Sequence, residues 1–200
     1  MVDALYVRLG VLSLSEFSQD EMVVLKKINA LGKATPDSLA QGLGEPYTSQ
    51  HLSTYLKQLE HKLLLNKTQE DPSAYRLTPL GLIAIGVLPE SAKEVYSVLP
   101  QEKCFHFYTG VGQDKFTKMS ACSLSDFKEK ARRVDPKSLE FHVKRGDFAK
   151  WCKDVLGDAE LAKEFERLRT SNFNGEVLRT RVTGLLDARV ERLTLKKTRV

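Results

Sequence analysis

The sequence predicts a mainly helical α+β protein with two domains and a C-terminal helix. The first observation is a series of segments whose apolar residues recur every three or four positions, as on one face of an amphipathic helix. The second is two pairs of short strand-like segments, each pair separated by turn residues. The third is a length of 200 residues with 42% hydrophobic residues, enough for one large core or two small ones.

Three helices are predicted in the first third of the chain. The first runs from Ser18, a typical N-cap, to Gly32, a typical C-terminal stop. The second begins at Thr35 and ends at Gly44. The third lies in TSQHLSTYLKQLEHKLLL, residues 48–65. The short second helix between two longer ones predicts a compact helical bundle.

The third helix has two different faces. Leu52, Leu56 and Leu59 recur at helical spacing and define an inner face, with Tyr55 and Leu63 beside them. Small polar side chains that can approach phosphates and base edges face outward. These outward residues are Thr48, Ser49, Gln50, Ser53, Thr54, Lys57 and Gln58.

A hairpin and a fourth helix follow. LLLNKTQ and AYRLT are typical of short strands around the turn 70–73, and TPLGLIAIGVL begins a helix capped by Thr78. With TSQHLSTYLKQLEHKLLL before AYRLTPLG, residues 15–88 resemble winged helix-turn-helix regulators of the multiple-antibiotic-resistance and arsenic-repressor type.

The resemblance implies that the protein binds double-stranded DNA. The seven outward side chains would face the major groove, and Lys67 and Arg76 would touch phosphates. Lys57 and Lys62 could add phosphate contacts. Because so few cations release few counterions, we expect a homodimer, which doubles the contacts.

Two features depart from that family. Its members usually have Gly where this chain has Leu63, which predicts a helix that runs on into the following strand. The wing tip is Glu70-Asp71, where DNA-binding wings commonly carry Arg or Lys. The alternative hypothesis is therefore an adaptor whose winged helix docks on a large protein or ribonucleoprotein machine, such as a polymerase or ribosome.

The charges are divided unevenly along the chain. Residues 1–99 hold nine Lys and Arg against eleven Asp and Glu, a net charge of −2, whereas residues 100–200 hold 22 against 15, a net charge of +7. Most basic residues thus lie outside the segment that resembles a DNA reader. No apolar run approaches the roughly 18 residues of a membrane span, and MVDALYVRLGVL lacks signal-peptide features. We therefore expect a cytoplasmic protein with no membrane contact.

The cysteines and histidines indicate no metal site. Cys104, Cys122 and Cys152 are odd in number and form no CxxC pair, which favours buried, reduced thiols. The four histidines show no spacing typical of metal ligands. We therefore expect neither a metal nor another cofactor.

The second domain is predicted from residue 100 to 170, with the boundary placed at Pro100, which breaks a helix end and linker over about residues 91–103. CFHFYTGVG and FTKMSACS are typical of two paired strands, and SLSDFKEKARRV of an amphipathic helix. Within SLEFHVKRGDFAKWCKDVLGDAELAKEFERLR, Asp147 and Asp158 are predicted to be N-caps of two further helices.

This last block resembles an uncharacterised family found mainly in archaea and bacteria from hot environments, with the signature SLxFHxxRGDFxxWxxxxLGDxxLA. With the upstream FHFYTGVG and SACSLSDF, the resemblance extends over about residues 103–168. The resemblance implies no function. His142, Arg145 and Asp147 could form a catalytic cluster, but no nucleophile or second carboxylate accompanies them. We expect a structural role instead, in which His142 packs under Trp151, and therefore a protein that is not an enzyme.

The C-terminal segment, residues 171–200, is predicted to form a basic amphipathic helix. Residues 176–200 hold seven Lys and Arg against three Asp and Glu. Three uses remain open: a dimer seam, packing against its own domain, or contact with nucleic acid or a membrane surface. The whole sequence thus predicts a transcriptional regulator or chromatin-associated factor, residues 1–99 binding DNA and the second domain binding a partner or sensing a signal.

Overall fold

A computed structural model describes residues 17–195, and the chain divides into two compact units. Residues 17–93 form the N-terminal unit and residues 94–195 the C-terminal unit. The mainly helical α+β class is confirmed. The outer ends of the predicted domains, residues 1–16 and 196–200, lie outside the described range. Within that range, no helix combines the length and apolarity needed to cross a membrane.

The N-terminal unit begins with helices α1 (Gln19–Leu31), α2 (Pro36–Leu43) and α3 (Ser49–His61). Each starts at a side-chain cap, in which the hydroxyl of Ser18, Thr35 or Thr48 accepts a hydrogen bond from a backbone N–H three residues on. The three predicted helices are confirmed, as are the predicted N-caps Ser18 and Thr35.

A small hairpin and helix α4 (Pro79–Ala84) complete the unit. Strand β1 (Leu65–Lys67) pairs antiparallel with β2 (Tyr75–Leu77), and Ala34 adds a β-bridge through two backbone hydrogen bonds to Tyr75. The core lies between the helices and this hairpin. Its fully buried members include Val24, Leu25, Ile28, Leu39, Leu52, Leu56, Leu59 and Leu65.

Leu63 does not prolong α3, so that prediction is wrong. Its φ of 60° lies in the left-handed region, which costs a residue with a Cβ about 1–2 kcal/mol. The Thr78 hydroxyl donates to the Leu63 carbonyl at 2.7 Å, and the Leu64 N–H donates to Leu59. These bonds hold the turn that directs the chain from α3 into β1.

Among the described residues, the C-terminal unit combines a hairpin with five larger α-helices and one short one. Strand β3 (Phe105–Tyr108) pairs antiparallel with β4 (Phe116–Ala121). A four-residue helix, α5 (Lys93–Tyr96), contains the point at which the units divide. The larger helices are α6 (Leu124–Ala131), α7 (Pro136–Arg145), α8 (Asp147–Asp154), α9 (Ala159–Arg169) and α10 (Gly175–Thr194).

The core of this unit is rich in aromatic rings. Phe127 lies 5.7 Å from Phe107 and 5.0 Å from Phe148, measured between ring centroids. Offset and edge-on ring pairs at such distances stabilise a core beyond the area they bury. The indole N–H of Trp151 donates to the Lys103 carbonyl at 2.9 Å, which satisfies the polar group of this buried ring.

Two of the three cysteines form a disulfide, so the prediction of reduced thiols is wrong for them. Cys104 and Cys122 are bonded, with their Cα atoms 4.3 Å apart. The register pairs Phe105 with Ala121, which makes the preceding and following cysteines direct neighbours across the hairpin. Cys152 is a free, buried cysteine, and burial raises the pKa of its thiol.

Helix α10 packs on its own unit, which is one of the three uses left open by the sequence. It lies against α6, α7 and α9 and buries Leu178, Val182, Leu186, Val190 and Leu193. It continues through Gly184 without a break.

The positive charge of α10 is largely paired. Arg189 contacts Asp158 at 2.7 Å and also Glu160, and Arg192 contacts Glu160. Arg179 pairs with Glu176 and donates to a backbone carbonyl. This part of the tail therefore offers less free charge than its composition suggests.

Candidate functional site

The outward face of α3 is open to solvent at most of the predicted positions. Ser49 and Ser53 are half-buried, and the other five predicted residues are exposed: Thr48, Gln50, Thr54, Lys57 and Gln58. Because Leu52, Leu56 and Leu59 are fully buried on the opposite side, the helix is anchored with this polar face outward.

The hydroxyl groups on this face also bond within the helix. Thr48 caps the helix, Ser53 donates to the Ser49 carbonyl at 2.8 Å, and Thr54 lies 3.5 Å from the Gln50 carbonyl oxygen. Side-chain hydroxyls that bond back to their own helix are less available to a partner. The amides of Gln50 and Gln58 and the ammonium of Lys57 are therefore the stronger candidates.

One residue that the sequence reasoning missed extends this face. His61 is exposed and lies four residues after Lys57 and seven after Thr54. Residues at these spacings share one side of a helix. The i, i+4 spacing from Lys57 was the signal that could have identified it.

The predicted phosphate contacts are not equivalent. Lys62 is committed to a structural contact, because its ammonium lies 2.6 Å from the buried carboxylate of Glu21. Lys67 and Arg76 are both exposed, but Lys67 is paired with Tyr75, the neighbour of Arg76 in β2. Since successive strand residues point to opposite faces, the hairpin presents Lys67 and Arg76 on different sides.

The turn between β1 and β2, which was predicted to be a wing tip, carries negative charge. The Asp71 carboxylate accepts hydrogen bonds from the side chain and backbone of Ser73, which lower the pKa of Asp71. Glu70 is 70% exposed, and its ion pair to Lys33 is a loose one of 3.8 Å. At neutral pH this tip would repel a phosphate that came close.

The second cluster joins β3, α7 and α8 around His142. Its Nε2 accepts a hydrogen bond from the Tyr108 N–H at 2.8 Å. Its Nδ1 lies 2.8 Å from Asp147 Oδ2 and, because Nε2 accepts, Nδ1 carries the proton and donates it. Burial lowers the pKa of His142 despite the opposing effect of Asp147. The imidazole is therefore neutral and fully hydrogen-bonded, an arrangement that fixes the junction of three elements.

Two details of this cluster differ from the prediction. Asp147 is the first residue of α8 rather than its N-cap, because Gly146 takes the cap position with a φ of 76°. The ring of His142 lies 4.8 Å from Phe105, and no ring contact joins it to Trp151 within residues 17–195. Asp158 does cap α9, as predicted, by accepting from the Leu161 N–H at 2.9 Å.

Arg145 completes the cluster at the surface. Its Nε lies 3.1 Å from Asp147 Oδ2, and its guanidinium carbon lies 5.0 Å from the ring centroid of Phe141. Across the described part of the chain, no group of three or more His, Cys, Asp or Glu side chains is arranged to hold a metal ion.

Comparison with known proteins bears on the second unit alone. No curated protein and no solved structure matches the chain. Residues 102–199 match the model of DUF5752, which is described as a family of unknown function. The match begins just before β3 and reaches beyond α10, so the hairpin, the His142 cluster and the C-terminal helix lie within one family region. Residues 102–199 are therefore a DUF5752 domain, a C-terminal domain of unknown function.

Proposed function

We propose that the protein binds double-stranded DNA through its N-terminal unit, which acts as a winged helix with α3 in the major groove. The observation that carries the proposal is the row of exposed groups formed by Gln50, Thr54, Lys57 and Gln58 on the side of α3 opposite its buried leucines. Amide groups can read base edges, and an ammonium can contact phosphate.

The charge on α3 supports the same proposal. Its acidic residue, Glu60, lies next to the end of the helix and is half-buried. Thr48, at the N-terminus, exposes a helix end whose backbone N–H groups favour an anion such as phosphate. Apart from one central lysine, the face consists of neutral polar groups, which favour contact with base edges. Binding to phosphates by charge alone would need more cations.

A monomer of this protein would bind DNA weakly, because it offers few cations to the phosphates. In this proposal Lys57 together with either Lys67 or Arg76 would supply two cations to one DNA surface, and each neutralised phosphate contributes about 0.9 to the salt slope. A homodimer on two half-sites would double this number. The protein would then act as a transcriptional regulator or chromatin-associated factor in the cytoplasm, with the DUF5752 domain binding a partner or sensing a signal.

The test is a titration of the full chain with random-sequence duplex at several salt concentrations. Lys57→Ala should weaken binding to every sequence and reduce the salt slope by about 0.9. Lys26→Ala is the matched control, because it removes an exposed lysine from α1 instead. Gln50→Ala should relax base preference and leave the slope unchanged.

The acidic wing tip favours a second candidate, an adaptor that docks on a polymerase or ribosome. Glu70→Lys separates the two hypotheses, because it should strengthen binding to duplex DNA if the wing lies near phosphates. Absence of binding to duplex at low salt, by wild type and by Glu70→Lys alike, would contradict the DNA proposal and support the adaptor.

A further inference from the structure

The C-terminal unit has an open cleft beside the His142 cluster. Its volume is about 500 Å³, within the range of about 300–1,000 Å³ that is usual for small-molecule sites. The β3–β4 turn forms one wall and α7 the other. The residues that matter for its chemistry are Phe105, Tyr108, Gly110, Phe141, Arg145 and Asp147.

Arg145 is held at the cleft by one edge of its guanidinium. Nε donates to Asp147, and the guanidinium lies over the Phe141 ring, which restricts its rotation. The side chain is nevertheless 53% exposed. The two terminal nitrogens, Nη1 and Nη2, have no hydrogen-bond partner among residues 17–195. They form a planar pair of donors suited to bidentate contact with a carboxylate or phosphate.

The support beneath Arg145 is rigid. Asp147 Oδ2 also accepts from His142, and His142 in turn accepts from the Tyr108 backbone N–H. A chain of hydrogen bonds thus links the guanidinium to strand β3. A donor fixed in this way loses little side-chain entropy when it binds an anion.

The cleft offers apolar surface next to these donors. Phe141 and Tyr108 line it, and Val111 at the turn is 80% exposed. Asp147 is the one carboxylate in the lining, and its Oδ2 is already occupied by two donors. Arg145 is the one Lys or Arg side chain in the lining, and its terminal nitrogens are the charged donors that remain available.

We propose that this cleft binds a small organic oxyanion, a carboxylate or phosphate carried on a flat apolar body. The oxyanion would contact Nη1 and Nη2 of Arg145, and the apolar body would lie against Phe141 and Tyr108. Asp147 and His142 act as positioning residues. The site would give the DUF5752 domain a ligand to sense, and it does not depend on DNA binding.

The test is a titration of the full chain with benzoate, phenyl phosphate and neutral benzamide, in which calorimetry measures the binding. At least one of the two anions should bind with a dissociation constant of about 1 mM or tighter. Benzamide should bind at least about tenfold more weakly, because it lacks the charge-assisted contact. The tighter of the two anions identifies the headgroup.

Variants assign the binding to Arg145. Arg145→Met should weaken it at least about tenfold, and Arg145→Lys, which keeps the charge without the planar fork, by a similar factor. Lys144→Met is the matched control, because it removes the adjacent exposed cation, which does not line the cleft. The fluorescence of Trp151, the one tryptophan of the sequence, verifies folding.

Three results would overturn the proposal. The first is no binding of either anion, and the second is equal affinity for benzamide. The third is unchanged affinity in Arg145→Met or Arg145→Lys, or an affinity that falls as much in Lys144→Met as in Arg145→Met. An equal loss in Lys144→Met would indicate that the anion is attracted by the general positive charge of the surface.

Discussion

The two units use their polar side chains in opposite ways. The N-terminal unit presents polar groups such as Gln50 and Lys57 to solvent on α3. The C-terminal unit buries His142 and Asp158 and uses them to join elements to one another. Net charge is therefore a poor guide to the surface that a partner meets. The unit within the acidic half keeps a free polar face, whereas several cations of the basic half, such as Arg189 and Arg192, are paired internally.

The largest expected effect tests this internal pairing. Asp158→Ala should lower the free energy of unfolding of the C-terminal unit by about 4 kcal/mol, because it removes the cap of α9 and leaves the half-buried Arg189 with less compensation. Urea denaturation followed by Trp151 fluorescence measures it. The control is Arg167→Ala, whose ion pair to Glu164 is 74% exposed on the arginine side and should contribute under about 1 kcal/mol. Similar losses of unfolding free energy in both variants would contradict the internal role proposed for Asp158.

The second prediction concerns the disulfide. Replacing Cys104 and Cys122 by serine should destabilise the C-terminal unit by about 3 kcal/mol, since the bond closes a loop with a sequence separation of 18. Dithiothreitol should lower the stability of the wild type towards that of the double variant and leave the variant unchanged. A wild type that is insensitive to reductant would show that these thiols are not bonded in solution.

The third prediction uses the neutral state of His142. Burial lowers its pKa in the folded protein, so below about pH 6.5 the unfolded chain binds the proton first. The free energy of unfolding should fall as the pH drops from there towards the folded-state pKa, by up to about 1.4 kcal/mol per pH unit.

His142→Gln should remove this contribution to the pH dependence. His51→Gln is the control, because it replaces an exposed histidine in the other unit. Denaturation curves of the wild type, His142→Gln and His51→Gln at several pH values measure how the free energy of unfolding of each depends on pH. If wild type and His142→Gln lose stability in parallel, the imidazole is not held neutral by the fold.

The smallest expected effect lies on α3. Gln50→Ala and Lys57→Ala should each change the free energy of unfolding by less than about 0.5 kcal/mol, because their side chains are exposed. By contrast, Leu56→Ala should cost about 2–5 kcal/mol. Circular dichroism during thermal unfolding distinguishes the two classes. A large loss from either polar variant would assign this face a structural role.

Local sequence patterns predicted the helices of the N-terminal unit well. The caps at Ser18 and Thr35 and the glycines that follow α1 and α2 mark boundaries that depend on neighbouring backbone groups. Leu63 was the exception, because its left-handed turn is held by Thr78, fifteen residues away. Such tertiary contacts override local propensity.

Parts of the candidate sites could not be predicted for the same reason. The pair of Lys62 with Glu21 joins residues 41 positions apart. Asp147 matched the pattern of a cap, but its carboxylate binds His142 and Arg145 instead. The disulfide could have been predicted from the sequence, because Cys104 and Cys122 lie at the ends of two segments that were predicted to pair as strands.

The bond between Cys104 and Cys122 has a consequence for alignment of the hairpin. A strand that slips by one position turns every side chain to the opposite side of its sheet, which here would send Phe105 and Phe107 into water and His106 into the core. A covalent tie at the open end of the two strands forbids that slip for as long as it remains oxidised.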